Sequence, residues 1–263
     1  MKITLPTLQK MARNQEKFAA LTCYDATFAA VLEQAGIDVL LVGDSLGNVL
    51  QGAETTLSVS LEDMIYHTRC VARSASHALI MTDMPFGSYQ TAPQQAFANA
   101  ARILAAGAHM VKIEGGQVMA DTIHFLTQRG IPVCAHIGLT PQSIHQLGGY
   151  KLQGNSEKSA KQLLDDATAL EQAGAGLVVL EVVPAKLAQT ITQTLSIPTI
   201  GIGAGPHCSG QVLVLHDMLG LYQGKKPRFV KDFFADCQNI QQAIANYVAA
   251  VRTGQFPNEE HAF

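Results

Sequence analysis

Acidic side chains recur at one kind of position in this chain. Asp44 comes just after the aliphatic run Val39–Val42, Asp83 after Ala78–Thr82, Glu114 after Met110–Ile113, and Glu181 after Leu177–Leu180. Ser45 follows Asp44, His136 follows the run Ile131–Ala135, and Lys112 stands two residues before Glu114. At strand spacing Lys112 and Glu114 project to the same side, with Val111 and Ile113 on the other. If that side is a binding mouth, a cation and an anion both point into it; a structural ion pair is the competing reading. Asp44, Asp83 and Glu114 together offer only oxygen donors. Carboxylates converging on one place repel each other unless a cation sits among them, and such a donor set suits magnesium rather than zinc. Each of them alone would also serve as a helix cap. Glu181, between Val178-Val179-Leu180 and Val182-Val183-Pro184, is in apolar company. That setting disfavours the ionised form and suits a general base, against the alternative of a solvated glutamate at the mouth. His136 reads as a satisfied core histidine.

The elements that must position these groups follow from the same runs. Phe18–Thr22, Val39–Val42, Ala78–Thr82, Met110–Ile113, Ile131–Ala135, Leu177–Leu180, Pro198–Ile202 and Val212–Leu215 are short, apolar and bounded by turn residues, as strands buried on both faces are. Helical patterns separate them: Ala26 to Gln34, Ser60 (as cap) to about Arg73, Pro93 to about Ala106, a helix ending near Gln128, Ser156 to Gln172, Ala185 to about Leu195, and an amphipathic tail from Val230 to Arg252. Three helix-to-strand joints share an Ala-Gly phrase at Gly36, Gly107 and Gly174, where a helix closes on a left-handed residue. The segment 137–155 is rich in glycine and reads as a long functional loop. Eight strands alternating with helices give the α/β class and a single-domain (β/α)8 TIM barrel over residues 1–263, with an open doubly wound sheet as the alternative. In such barrels ligands bind at the carboxyl ends of the strands, where the acids stand. The Gly201-Ile202-Gly203-Ala204-Gly205 turn reads as close helix–strand packing ahead of a phosphate site, because Pro206 has no N–H to give an anion.

Composition narrows the function classes. The chain has 263 residues, 48% of them hydrophobic, so it can bury a large core. A net charge of −3 without a dense basic run argues against nucleic acid and anionic membranes and leaves small molecules as partners. The first residues hold no apolar core of signal-peptide type and no window approaches a membrane span, so a cytoplasmic protein is expected. Five widely spaced cysteines without a CxxC pair point to reduced thiols.

Nine blocks, LLVGDSLGNVLQG, YHTRCVAR, TDMPFGSY, MVKIEGG, HIGLTPQS, GGYKLQG, LEVVP, PTIGIGAG and GQVLVLHD, occur in this order and resemble the ketopantoate hydroxymethyltransferase (3-methyl-2-oxobutanoate hydroxymethyltransferase) family from about Leu8 to Phe263. The resemblance implies a barrel of the phosphoenolpyruvate/pyruvate superfamily type. It implies transfer of a one-carbon unit from the co-substrate 5,10-methylenetetrahydrofolate to 3-methyl-2-oxobutanoate, through a magnesium-stabilised enolate, giving 2-dehydropantoate on the way to pantothenate and coenzyme A. Asp44 and Asp83 match ligands of one Mg2+ per subunit, and Glu114 matches a residue serving that metal through water. Asp44, Ser45, Asp83 and Lys112 match the groups that hold the keto acid, and Glu181 matches the proton acceptor. Homo-oligomers, often decamers, are implied as well. Asn48 stands where the family commonly has methionine, Cys70 where it has alanine, Ser209 where it has aspartate, and Ala262 where it has serine. The rival readings are a magnesium-dependent 2-keto-acid lyase or aldolase that uses no folate, and a barrel that binds a ligand without chemistry.

Overall fold

The computed structural model describes residues 2–222 and 226–263. Eight parallel strands close on themselves in sequence order: β1 (Phe18–Thr22), β2 (Val39–Val42), β3 (Leu79–Asp83), β4 (Met110–Glu114), β5 (Val133–Gly138), β6 (Leu177–Glu181), β7 (Thr199–Ile202) and β8 (Gly210–Leu213). The helices are α1 (Leu5–Arg13), α2 (Ala26–Gln34), α3 (Leu46–Val49), α4 (Leu61–Ala72), α5 (Pro93–Ala105), α6 (Ala120–Thr127), α7 (Ile144–Leu147), α8 (Glu157–Gln172), α9 (Ala185–Thr194), α10 (Leu215–Met218) and α11 (Ile240–Arg252). The barrel expected from alternating apolar runs is the fold, and the open sheet is excluded by the pairing of β1 with β8.

Strand alternation divides the apolar residues into two cores. Ala20, Val39, Leu41, Leu79, Met81, Met110, Cys134, Leu177, Val179 and Val212 fill the barrel interior, while Leu21, Leu40, Ile80, Val111, Ile113, Ala135, Val178 and Leu180 pack outward under the helices. The same alternation puts Asp83 in line with Leu79 and Met81, Lys112 and Glu114 with Met110, His136 with Cys134, and Glu181 with Leu177 and Val179. Each interior row is apolar below and ionisable at its carboxyl end. Leu8 of α1 is fully buried in the interior core, with Ile3, Leu5 and Met11 against it. The apolar end of the barrel is therefore plugged and the polar end is left to ligands.

Several boundaries differ from the sequence expectation. Helix α1 was not anticipated, although Thr4 caps it by accepting from Thr7 N–H and Pro6 lies in its first turn. Strand β8 begins two residues earlier than expected and stops at Leu213, because Leu215 N–H donates to Thr22 Oγ1 at 2.9 Å and the chain turns into α10. Strand β5 begins at Val133 and continues to Gly138, so His136 is part of the strand. Helix α11 starts at Ile240, capped by Asn239, and not at Val230. Before it, Asp232 Oδ1 accepts from Phe234 and Ala235 N–H groups, a local turn that competes with helix. Gly36, Gly107 and Gly174 all have positive φ, and a Cβ on Gly107 would overlap Ala72. Gly203 and Gly205 pack against Phe229 and Ala185, which supports close packing for that turn. Ser209 exchanges hydrogen bonds with Thr199 at the amino end of β8, away from the polar mouth. All five cysteines are free thiols, and no described helix is long and apolar enough to cross a membrane.

Candidate active site

A cavity of about 610 Å³ opens at the carboxyl ends of the strands, and Asp44, Ser45, Asp83, Lys112, Glu114, His136 and Glu181 all line it. Every side chain singled out in the sequence is thus brought to one place. Asp83, Lys112, Glu114 and His136 are neighbours by parallel register, since Asp83 pairs with Lys112 and Glu114 with His136. Lys112 Nζ lies 2.7 Å from Asp83 Oδ1 and 3.7 Å from Glu114 Oε1. Asp83 Oδ2 accepts the Asp44 N–H at 3.0 Å, which fixes the turn after β2. Ser45 Oγ is 2.9 Å from the Tyr24 hydroxyl, and a Cβ at Gly43 would come within 2.8 Å of that Oγ.

Burial makes these charges depend on each other. Burial, reinforced by the charges of Asp83 and Glu114, holds the Asp44 carboxyl well above the ordinary carboxylate range. Burial also works against ionised Glu114, yet His136, Lys112 and the Gln142 N–H hold its carboxyl below the usual value. Lys112 is desolvated, but Asp83, Glu114 and Asp44 keep it charged beyond the ordinary lysine range. An unpaired buried ammonium costs several kcal/mol, so three carboxylates around it decide its state.

His136 is not an ordinary core histidine. Its Nδ1 stands 3.3 Å from Glu114 Oε1 and its Nε2 3.2 Å from Glu181 Oε2. Neither contact has the alignment of a well-formed hydrogen bond. Burial and Lys112 disfavour the imidazolium, but the two glutamates outweigh them and raise His136 to about 9. Glu181 therefore has a polar neighbour and is not isolated among apolar groups, although Val179, Val182 and Ile202 also line its surroundings. Val182, directly after it, has φ +47. A β-branched residue in the left-handed region costs about 1–3 kcal/mol, and the arrangement is held by Val182 N–H donating to Ile202 O at 2.9 Å. Gly138, with φ +91, lies where any Cβ would overlap the Glu181 carbonyl.

Gln142 is the site residue that the sequence reading passed over. Its Nε2 donates to Asp44 Oδ2 and to the Met84 carbonyl, both at 2.9 Å. Its Oε1 accepts from the Tyr89 hydroxyl at 2.6 Å, and its backbone N–H donates to Glu114 Oε2 at 3.0 Å. One amide thus ties two acids of the site to the backbone, and Pro141, which starts the short helical turn ahead of α7, aims it inward. Gln142→Ala is expected to lower the unfolding free energy by about 2–4 kcal/mol, since two buried acceptors lose their donor. Urea denaturation measures this; a loss below about 0.5 kcal/mol would mean that the network carries no stability.

The donor set can be tested against a cation. Among the described residues no group of three or more His, Cys, Asp or Glu is arranged to hold a metal ion by itself. Magnesium commonly takes one or two protein carboxylates and completes its shell with water and substrate oxygens. Asp44 and Asp83 meet that requirement. Asp83 Oδ1 is buried without an aligned hydrogen bond, and the Asp44 carboxyl is destabilised in its ionised form by its acidic neighbours. Glu114, already engaged by Gln142 N–H and beside His136 and Lys112, fits an outer position. The residues fit a hard divalent cation.

The sequence profile described as ketopantoate hydroxymethyltransferase matches residues 2–259. The chain belongs to this family. A 3-methyl-2-oxobutanoate hydroxymethyltransferase of Nitrosospira multiformis is 66% identical over 263 residues, covering 100% of both chains. Among solved structures, a phosphonopyruvate hydrolase complexed with oxalate and magnesium superposes with a TM-score of 0.61 at 13% identity, covering 80% of each chain. A 2,3-dimethylmalate lyase, described as a PEP mutase/isocitrate lyase superfamily member, gives 0.56 at 18% identity, covering 81% of each. At these identities the two structures speak to the fold alone, the (β/α)8 barrel expected from the sequence.

Proposed function

We propose that this chain transfers the one-carbon unit of 5,10-methylenetetrahydrofolate to 3-methyl-2-oxobutanoate, with water supplying the hydroxyl oxygen and tetrahydrofolate leaving, to give 2-dehydropantoate for pantothenate and coenzyme A biosynthesis. The observation that carries the reading is the meeting of Asp44, Asp83, Lys112, Glu114 and Glu181 in one cavity, in a chain whose family is that of this transferase. Asp44 and Asp83 would hold Mg2+, with Glu114 serving it through water. A divalent cation held there would supply Lewis-acid polarisation of the keto acid's carbonyl.

This chain's own residues do the rest. Lys112, fixed between Asp83 and Glu114, presents a cation in the same mouth and offsets the negative charge that grows on the keto oxygen as C3 loses its proton. Ser45, whose hydroxyl is 2.9 Å from that of Tyr24, would hydrogen-bond the bound acid. Glu181 takes the C3 proton on a carboxylate oxygen, with the His136 ring 3.2 Å away as its counter-charge. Val179, Val182 and Ile202 line the cavity beside it, where the C3 carbanion equivalent attacks the folate methylene, water supplies the hydroxyl oxygen and tetrahydrofolate leaves.

Purified protein assayed for 2-dehydropantoate is expected to form it only when magnesium and methylenetetrahydrofolate are both present. Turnover of a 2-keto acid with folate omitted would favour the lyase or aldolase reading, and binding without any turnover would favour the non-catalytic barrel. A cytoplasmic location and a homo-oligomer, decameric in the family pattern, belong to the same proposal. Exposed Tyr66, Phe86 and Val118 offer apolar surface for contacts between copies, and light scattering that returned a monomer would remove the assembly.

A further inference from the structure

The cavity has two unlike sides. Asp44, Ser45, Asp83, Lys112, Glu114, His136 and Glu181 come from the ends of β2 to β6 and form a continuous charged arc. The opposite side is lined by Ile202 of β7, by Val212 and Val214 in and after β8, and by Phe229 and Phe263, with the cations Lys226 and Arg228 beside Phe229. One carboxylate stands among them: Asp217, in α10 directly after β8, the strand across the closed barrel from β4. Its carboxylate has no ion pair or hydrogen-bond donor among the described residues, and burial alone pushes it up to about 6. Near it are its neighbour His216, whose ring packs on Tyr24 at 5.7 Å, and Tyr24 itself, whose hydroxyl is engaged by Ser45, while Lys226 and Arg228 line the same cavity. Helix α10 does not use the carboxylate as a cap, since its N-cap is Val214. At about 610 Å³ the cavity also exceeds what a small keto acid fills and lies in the range that holds a ring-bearing ligand.

We infer that Asp217 is the anchor for the pterin ring of the folate co-substrate. The inference rests on the folate-dependent reading proposed above. A reduced pterin is a flat ring whose faces suit apolar walls and whose pyrimidine edge carries two parallel donors, the N3–H and the 2-amino group. A carboxylate with both oxygens free accepts them in the paired geometry it uses with guanidinium. Anchored on the β8 side, the ring projects its one-carbon unit toward Glu181 and Lys112 on the other arc. The two substrates thereby take opposite halves of one cavity, and selection of the one-carbon donor falls to a residue that takes no part in holding the keto acid.

The test compares tetrahydrofolate with its 2-desamino analogue by calorimetry, on the full-length protein with magnesium and 3-methyl-2-oxobutanoate present. Wild type is expected to bind tetrahydrofolate about 10- to 100-fold more tightly than the analogue, the size of a hydrogen-bond pair to a charged group. Asp217→Asn should weaken tetrahydrofolate by a similar factor and bring the ratio of the two affinities near one, and Asp217→Glu should restore part of it. Equal affinities in wild type overturn the proposal without recourse to any variant, and a ratio unchanged in Asp217→Asn overturns it as well. Wild type that forms product from methylenetetrahydrofolate while failing these tests removes the anchor and leaves the transferase reading intact. Wild type that neither binds tetrahydrofolate nor forms product removes both.

Discussion

Asp83→Asn is expected to lower turnover more than 10²-fold and magnesium affinity at least 10-fold, with the fold retained. The asparagine oxygen can still accept the Asp44 N–H that Asp83 Oδ2 accepts at 3.0 Å, so the turn after β2 keeps its tie. What is lost is a charge, and an amide oxygen is a weaker ligand to a hard cation than a carboxylate. Lys112, 2.7 Å from Asp83 Oδ1, keeps Glu114 as a second partner at 3.7 Å, so its ammonium is not left unpaired. Asp44→Asn should be milder. Its carboxyl is already driven toward the neutral form by burial and by Asp83 and Glu114, and the variant removes one of the charges that repel each other. Titration calorimetry with magnesium, together with thermal unfolding, measures both effects, and wild-type affinity in either variant would take that residue out of the metal site.

Much of this site was legible because strands bury both faces. The runs before Asp44, Asp83, Glu114 and Glu181 are mostly apolar, and the side that each acid faces follows from counting by twos, as Lys112 and Glu114 show by their 3.7 Å approach. Register between strands is another matter. His136 looked like a core residue because its own strand is apolar, and only the pairing of Glu114 with His136 and of Gly138 with Glu181 sets its ring between two glutamates. Gln142 was hidden for a similar reason. It lies in a glycine-rich loop and bonds to Asp44, 98 positions away in the chain, and no local pattern marks such a contact. The left-handed Val182 gives no signal either, since valine is the residue least expected there. Helix α1, by contrast, carried a readable signature in Thr4, Pro6 and the spacing of Leu5, Leu8 and Met11.

Glu181→Gln isolates the base from the rest of the chemistry. With magnesium but no folate, the wild-type protein is expected to exchange the C3 hydrogen of 3-methyl-2-oxobutanoate with deuterium oxide, because deprotonation needs only the bound keto acid, Lys112 and a carboxylate to take the proton. Glutamine keeps the size of Glu181 and can still face His136 Nε2, now 3.2 Å from a carboxylate oxygen, but it cannot accept a proton. Exchange should fall by roughly 10²–10⁴, the loss that follows removal of a positioned general base. Keto-acid binding should stay within a few-fold, since its proposed contacts lie on Asp44, Ser45, Asp83 and Lys112 at the other strand ends. The geometry also names the alternative. His136 stands 3.2 Å from Glu181 and can carry a proton, and it is raised to about 9 because the two glutamates outweigh its burial and Lys112. Near neutral pH it is therefore an imidazolium, a donor and not an acceptor, so His136→Gln should reduce exchange less than Glu181→Gln does. Proton NMR of the C3 signal decides between them: wild-type exchange in Glu181→Gln, with loss in His136→Gln, would move the base from β6 to β5.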